Sequence, residues 1–168
     1  MFNRFINLRK LKKKYKTVQF MSHSYFEFSD NITFKGYAYI GPDAYWSAKG
    51  KIEVGNNVIF GPRTILWIYT HNYMSENYIP YGKSDEDIIK NIIIEDNVWI
   101  GLGVTILPGV RIGEGAVIGM NSLVTKDIPS CAVVAGNPAK IIKYRDIKVY
   151  KKLKEENKLY LEYKYENY

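Results

Sequence analysis

The chain has 168 residues, 46% hydrophobic and 15% aromatic, enough for one folded domain with a real core and incompatible with a disordered chain. Its formal net charge is +7. Seven basic residues (Arg4, Arg9, Lys10, Lys12, Lys13, Lys14 and Lys16) stand in the first sixteen positions without an acid, and the rest of the chain is balanced. The excess is local and does not support nucleic-acid binding.

Residues 1–24 read as a basic arm or capping helix, with Phe2, Phe5, Ile6 and Leu8 mixed into the charged run. Two readings stand: a cap on the open end of the fold, which a solenoid needs, or peripheral contact with an anionic membrane surface. The arm lacks the continuous apolar core of a signal peptide, and no apolar run reaches membrane-spanning length, so a cytoplasmic location is expected. The single cysteine, Cys131, has no intrachain partner and fits a reducing compartment.

From Tyr25 the chain is β-rich. Ile40 with Ala44, then Trp46, follow a beat of six residues, but Val54 arrives two residues late, which predicts a small bulge between Ala48 and Lys51. Val54, Phe60 and Leu66 then point inward, with Val58, Thr64 and Thr70 four residues on. The interval from Leu66 to Ile94 is not a multiple of six. Its turn formers and charges predict a loop over about 70–92.

Between Ile94 and Val124 the beat is unbroken: Ile94, Ile100, Ile106, Ile112, Ile118 and Val124, each followed four residues later by Val98, Val104, Val110, Ala116, Ser122 and Ile128. A period of six is not that of a helix, yet it keeps marked residues on one face of short strands. With Gly101, Gly113 and Gly119 just after the inward residue, it predicts an all-β solenoid of like turns. Pro129 and Pro138 end the coil near Val134. Residues 144–168, with Val149, Leu153, Tyr160 and Tyr163 near helical spacing, predict a C-terminal helix or tail.

The run from Ile92 to Arg145, with "DNVWIG" at its opening and "VTKDIP" and "AGNPAK" at its close, resembles the hexapeptide-repeat acyltransferases, near the maltose, galactoside and capsule-sugar O-acetyltransferases and the xenobiotic acetyltransferases. The resemblance implies a left-handed parallel β-helix over residues 25–143, working as a homotrimer on acetyl-coenzyme A, with no metal. Its expected acceptor is a sugar hydroxyl, with a surface-polysaccharide precursor as the candidate. Acetylation of an antibiotic or an amino sugar, and a solenoid without catalysis, are the alternatives. The metal-dependent carbonic anhydrases share the coil but need three histidines, and this chain has two, His23 and His71.

"YTHNY" resembles the segment holding the family's catalytic histidine, which assigns His71 as general base. Imidazole suits that task near neutral pH. Glu76 is the nearby carboxylate considered for orienting it, against a plain solvated loop residue. The family's coenzyme A contacts carry over to Leu102 and Met120, to Gly101 and Gly119 as glycines that let the pantetheine arm approach the main chain, and to Thr125, Lys126, Lys140 and Lys143. Trp67 and Tyr69 fit either an apolar platform for a sugar ring or plain packing within the coil, and Trp99 points outward toward a subunit interface or the cofactor.

Overall fold

The computed structural model describes residues 2–167. Short strands wind a three-sided coil, one strand per side, and each pairs in parallel with the strand one turn away. The first sheet stacks Val18–Phe20, Ala38–Ile40, Val58–Phe60, Trp99–Ile100, Val117–Ile118 and Ala132–Ala135. The second stacks Tyr25–Glu27, Tyr45–Ser47, Ile65–Trp67, Thr105–Ile106 and Leu123–Val124. The third stacks Ile32–Phe34, Ile52–Val54, Ile92–Ile94 and Arg111–Ile112. The coil therefore starts at Val18, ahead of the expected Tyr25.

The inward residues are those of the six-residue beat. Ile94, Ile100, Ile106, Ile112, Ile118 and Val124 are all buried, as are Val98, Val104, Val110 and Ala116 at the corners. Burying one such aliphatic side chain contributes about 1.5–3 kcal/mol, so the column of them is the main source of stability. Partners on early turns stand 20 residues apart, as Phe26 beside Trp46 and Ile32 beside Ile52. On later turns they stand 18 apart, as Trp99 beside Val117 and Thr105 beside Leu123.

The two extra residues sit at the corner between the second and third sheets. The irregularity expected at Ala48–Lys51 is thus not an isolated bulge, because the first turn has the same wide corner, filled by a 3-10 turn at Ser29–Asn31. The wider perimeter encloses larger side chains: Phe26 packs edge-on to Trp46 at 5.3 Å, and Trp46 meets Phe60 at 4.7 Å. On the third turn the whole loop leaves from this corner. There Thr70, expected inward, is exposed, and Ile68 takes the buried place.

The corner between the first and second sheets explains two glycines. A Cβ on Gly101 would stand 2.8 Å from the backbone nitrogen of Met120, and one on Gly119 would stand 2.7 Å from the Cβ of Ala135. The next turn of the coil fills that space, so close stacking by itself calls for glycine at these two positions.

The described segments before and after the coil both lie against it. Helix α1 (Phe2–Lys14) covers the first turn, with Leu11 buried and Tyr15 edge-on to Phe34 at 5.1 Å. The side chains of Phe2, Phe5 and Ile6, the apolar residues of the basic run, lie outside those described. At the other end Lys140–Tyr144 folds back antiparallel on Ala132–Ala135. Two helices follow where one was expected: α2 (Ile147–Glu155), capped by the Asp146 carboxylate, and α3 (Tyr160–Asn167), with Asn157 at a left-handed φ of 50° between them.

The C-terminal residues that meet the coil are not the ones helical spacing picked out. Val149, Leu153, Tyr160 and Tyr163 are exposed, whereas Tyr150 donates to the Glu114 carboxylate at 2.7 Å and Leu161 is buried. The segment runs back along the corner between the third and first sheets as far as Tyr37, whose ring meets Tyr165 at 5.3 Å. No helix among the described residues is long and apolar enough to cross a membrane.

Candidate active site

The loop is a hairpin at its base. Tyr69–Thr70 pairs antiparallel with Ile88–Ile89, Thr70 opposite Ile88 and Tyr69 opposite Ile89. One step further along this register brings His71 opposite Asp87. The imidazole Nδ1 stands 2.8 Å from Asp87 Oδ1. The other carboxylate oxygen accepts from Lys49 Nζ at 2.6 Å, and the same ammonium donates to the carbonyl of Ser84 at 3.2 Å.

Lys49 comes from the wide corner of the turn below, so the coil itself holds the far strand of the hairpin. The Asp87 side chain is only 2% exposed, whereas that of His71 is 44% exposed. The hydrogen bond from Lys49 first, and that of His71 second, keep the Asp87 carboxyl below the usual carboxylate range. An ionised carboxylate only accepts. A hydrogen of the imidazole is therefore on Nδ1, and in the neutral ring Nε2 presents a lone pair.

The ring is held on its faces as well as its edge. Tyr81 stacks on it at 4.0 Å with an interplanar angle of 9°, and Tyr69 meets it edge-on at 6.0 Å. His71 opens into a groove of about 510 Å³ lined by Trp67, Tyr69, Tyr73, Lys90, Leu107 and Thr125, among others. Burial pushes the Tyr69 hydroxyl above its ordinary value.

Four residues singled out in the sequence, Trp67, Tyr69, His71 and Thr125, thus meet in one groove. Glu76, considered for orienting the histidine, is exposed, and Asp87 holds Nδ1 instead. Trp67 is a poor open platform, because Tyr45 stacks on it at 5.7 Å and Tyr69 lies against it at 5.0 Å. Leu102 and Met120 stand at the corner between the first and second sheets, at the other edge of the sheet face that carries Thr105 and Leu123. Lys126 and Lys140 are exposed.

Trp99, 53% exposed, lies on the first sheet and lines a separate groove with Lys143 and Tyr144. His23 lies 3.9 Å from Asp43 on the second turn and takes no part in the site. Cys131 is buried, which raises its thiol above the ordinary value, as suits a packing residue. Among the described residues no cluster of three metal-ligating side chains occurs.

Residues 91–126 match the family model described as bacterial transferase hexapeptide (six repeats). A hexapeptide-repeat containing acetyltransferase from Vibrio cholerae O1 biovar eltor, solved in complex with acetyl coenzyme A, is 30% identical. The match has a TM-score of 0.68 and covers 81% of this chain and 75% of that one. The chain belongs to the hexapeptide-repeat acetyltransferase family.

A galactoside acetyltransferase solved in complex with coenzyme A is also 30% identical, with a TM-score of 0.67 over 83% of this chain and 70% of that one. The galactoside O-acetyltransferase of Lactococcus lactis is 44% identical over 102 residues, 59% of this chain and 47% of its own length. The chain spans about half the length of the curated relatives it matches, between 42% and 47% of three of them. The outward groove and the histidine in it thus sit on a hexapeptide-repeat coil whose relatives are solved with a thioester donor or its product.

Proposed function

We propose that the protein is an acetyl-CoA-dependent O-acetyltransferase acting on a sugar hydroxyl, with His71 as general base. One observation carries the reading: the histidine opens into the groove with its Nδ1–H committed to a buried carboxylate, which leaves Nε2 free to take a proton. The family resemblance and the relatives solved with acetyl coenzyme A or coenzyme A support the donor. The name galactoside O-acetyltransferase among the relatives supports a saccharide acceptor, and a colanic acid biosynthesis acetyltransferase among them supports a place in the making of a polysaccharide.

In this mechanism the acceptor hydroxyl gives its proton to His71 Nε2 while its oxygen attacks the thioester carbonyl. The tetrahedral intermediate collapses by breaking the C–S bond. The imidazolium returns the proton to the departing thiolate, giving an ester and free coenzyme A thiol. Asp87 stays ionised throughout and stabilises the imidazolium. No covalent enzyme intermediate forms.

The donor lies across the face of the second sheet that carries Thr105 and Leu123, between the corner of Gly101, Leu102, Gly119 and Met120 and the corner of Thr125 and Lys126. Lys140, paired with Ala135 beside the Gly119 corner, serves its phosphates as a point charge, whereas Lys143 lies with Trp99 in the separate groove of the first sheet. Trp67 and Tyr69 form the wall beside the acceptor. The enzyme works in the cytoplasm as a homotrimer, and the outward Trp99 on the first sheet supports packing against further copies.

The test is release of thiol from acetyl-CoA with a panel of galactosides, maltose, oligosaccharides, sugar nucleotides and antibiotics. A sugar is expected to give turnover, and His71→Ala to lower it by about 10²–10⁴-fold with acetyl-CoA affinity nearly intact. An unchanged rate in His71→Ala removes the base. Turnover with an antibiotic and with no sugar removes the acceptor class.

A further inference from the structure

We infer that Lys49 is a positioning residue of this site, whose ammonium offsets the charge of Asp87 so that the carboxylate orients His71 without holding it as an imidazolium. The inference rests on the reading of His71 as the base. A buried carboxylate hydrogen-bonded to an imidazole favours the protonated ring, because an opposite charge at contact distance stabilises the charged form. A base that is already protonated accepts nothing. An Asp87–His71 pair alone would give good orientation and poor basicity.

Lys49 resolves this conflict. Its Nζ stands 2.6 Å from the carboxylate oxygen that His71 does not use. An ammonium has donors only, so it remains at Asp87 whichever state the imidazole takes. With a neutral ring the three groups sum to zero charge, and with a protonated ring they carry one positive charge in a partly enclosed site. The Asp87 carboxyl is held low by Lys49 ahead of His71, consistent with the ammonium being its principal partner.

The other titratable groups around the ring do not replace Lys49. The rings of Tyr81 and Tyr69 cover it, and Tyr73 and Lys90 line the groove. Glu86 accepts from Asn72 Nδ2 at 3.4 Å, and Glu27 beyond Tyr69 accepts from Ser47 Oγ at 2.6 Å. Lys90 lines the groove, whereas Lys49 bonds Asp87 directly and also pins the hairpin through the Ser84 carbonyl.

The two roles of Lys49, charge and latch, are separable. Lys49→Met removes both, Lys49→Gln removes the charge and keeps a hydrogen-bond donor for Asp87, and Lys49→Arg keeps both. The His71 ring is followed by NMR with histidine labelled at Cε1. His23→Gln in each protein leaves His71 as the only histidine, since the chain has two. A unit charge on the far side of the Asp87 carboxylate, across a partly screened path, is worth roughly 0.5–2 pH units.

The titration midpoint of His71 is therefore expected to rise by that amount in Lys49→Gln and Lys49→Met and to stay put in Lys49→Arg. In turnover, the acid limb of the kcat/KM profile of Lys49→Gln moves up with it while the plateau is kept. An unmoved midpoint in Lys49→Gln overturns the inference, as does a rate lowered equally at every pH. If Lys49→Met fails to fold by circular dichroism, the Gln and Arg variants decide between themselves. The NMR titration needs neither donor nor acceptor, so it reads Lys49 even where the proposed transferase activity fails.

Discussion

Asp87→Asn is the substitution that the site geometry makes most informative. The side chain is nearly isosteric, but its amide presents one acceptor and one donor where the carboxylate presents two acceptors. Lys49, at 2.6 Å, has only donors to offer. The Asn oxygen must therefore turn to Lys49, which points the NH2 group at His71 Nδ1, 2.8 Å from its carboxylate partner in the native site. Nδ1 becomes the acceptor and the ring hydrogen moves to Nε2, the atom that has to receive the proton.

The expected loss is the whole contribution of a general base, about 10²–10⁴-fold in kcat. The same exchange in a Ser-His-Asp triad costs about 10⁴ through the wrong tautomer. The assay is the initial rate of thiol release at saturating acetyl-CoA with the acceptor that the panel identifies. Nitrogen-15 shifts of the imidazole report the tautomer directly. Adding Lys49→Met frees the amide to turn its oxygen back to His71 and is expected to recover at least about tenfold of the loss. A rate for Asp87→Asn within tenfold of the native protein, or a ring still protonated on Nδ1, refutes the reasoning.

Ile100→Ala, at a fully buried position between Phe60 and Ile118 of the neighbouring turns, should cost about 2–5 kcal/mol in urea denaturation, because stacked backbones cannot collapse into the void. Glu114 gives a pH dependence. Burial alone would raise its carboxyl, but hydrogen bonds from Lys154 and Tyr150 outweigh that and hold it below the ordinary glutamate range. A lowered carboxyl stabilises the fold above its unfolded-state value and loses that benefit as pH falls through the folded value. The melting temperature of Glu114→Gln should therefore lie below that of the native protein at pH 7, with the gap closing as pH falls below the ordinary glutamate range. A gap that persists in acid assigns the loss to packing instead.

The late turns were fully legible because aliphatics recur there without interruption, and a period of six admits few other folds. The early turns were harder. Their wide corner shifts the beat by two residues once per turn, and only one instance, between Trp46 and Val54, is preceded by a run regular enough to expose it. Asp87 was missed because residues 85–87 are three consecutive acids, equivalent by composition. The signal was the hairpin register: with Thr70 opposite Ile88, only position 87 faces His71. Lys49 gave no local sign, since its partner is 38 residues away. The antiparallel return at Lys140–Tyr144 was hidden behind Pro138, which marked the end of the coil but not the direction taken afterwards.

The wide corner has a consequence for how this scaffold can vary. A prism whose edges stack at one pitch tolerates an outgrowth only where successive layers already differ in contour length, and here that is a single edge. Appendages of very different size can be exchanged at that edge without disturbing the layers above or below. Chemistry at this port can thus diverge while the shaft stays constant, and a transplanted hairpin from another coil should be accepted there and rejected at the two tight edges.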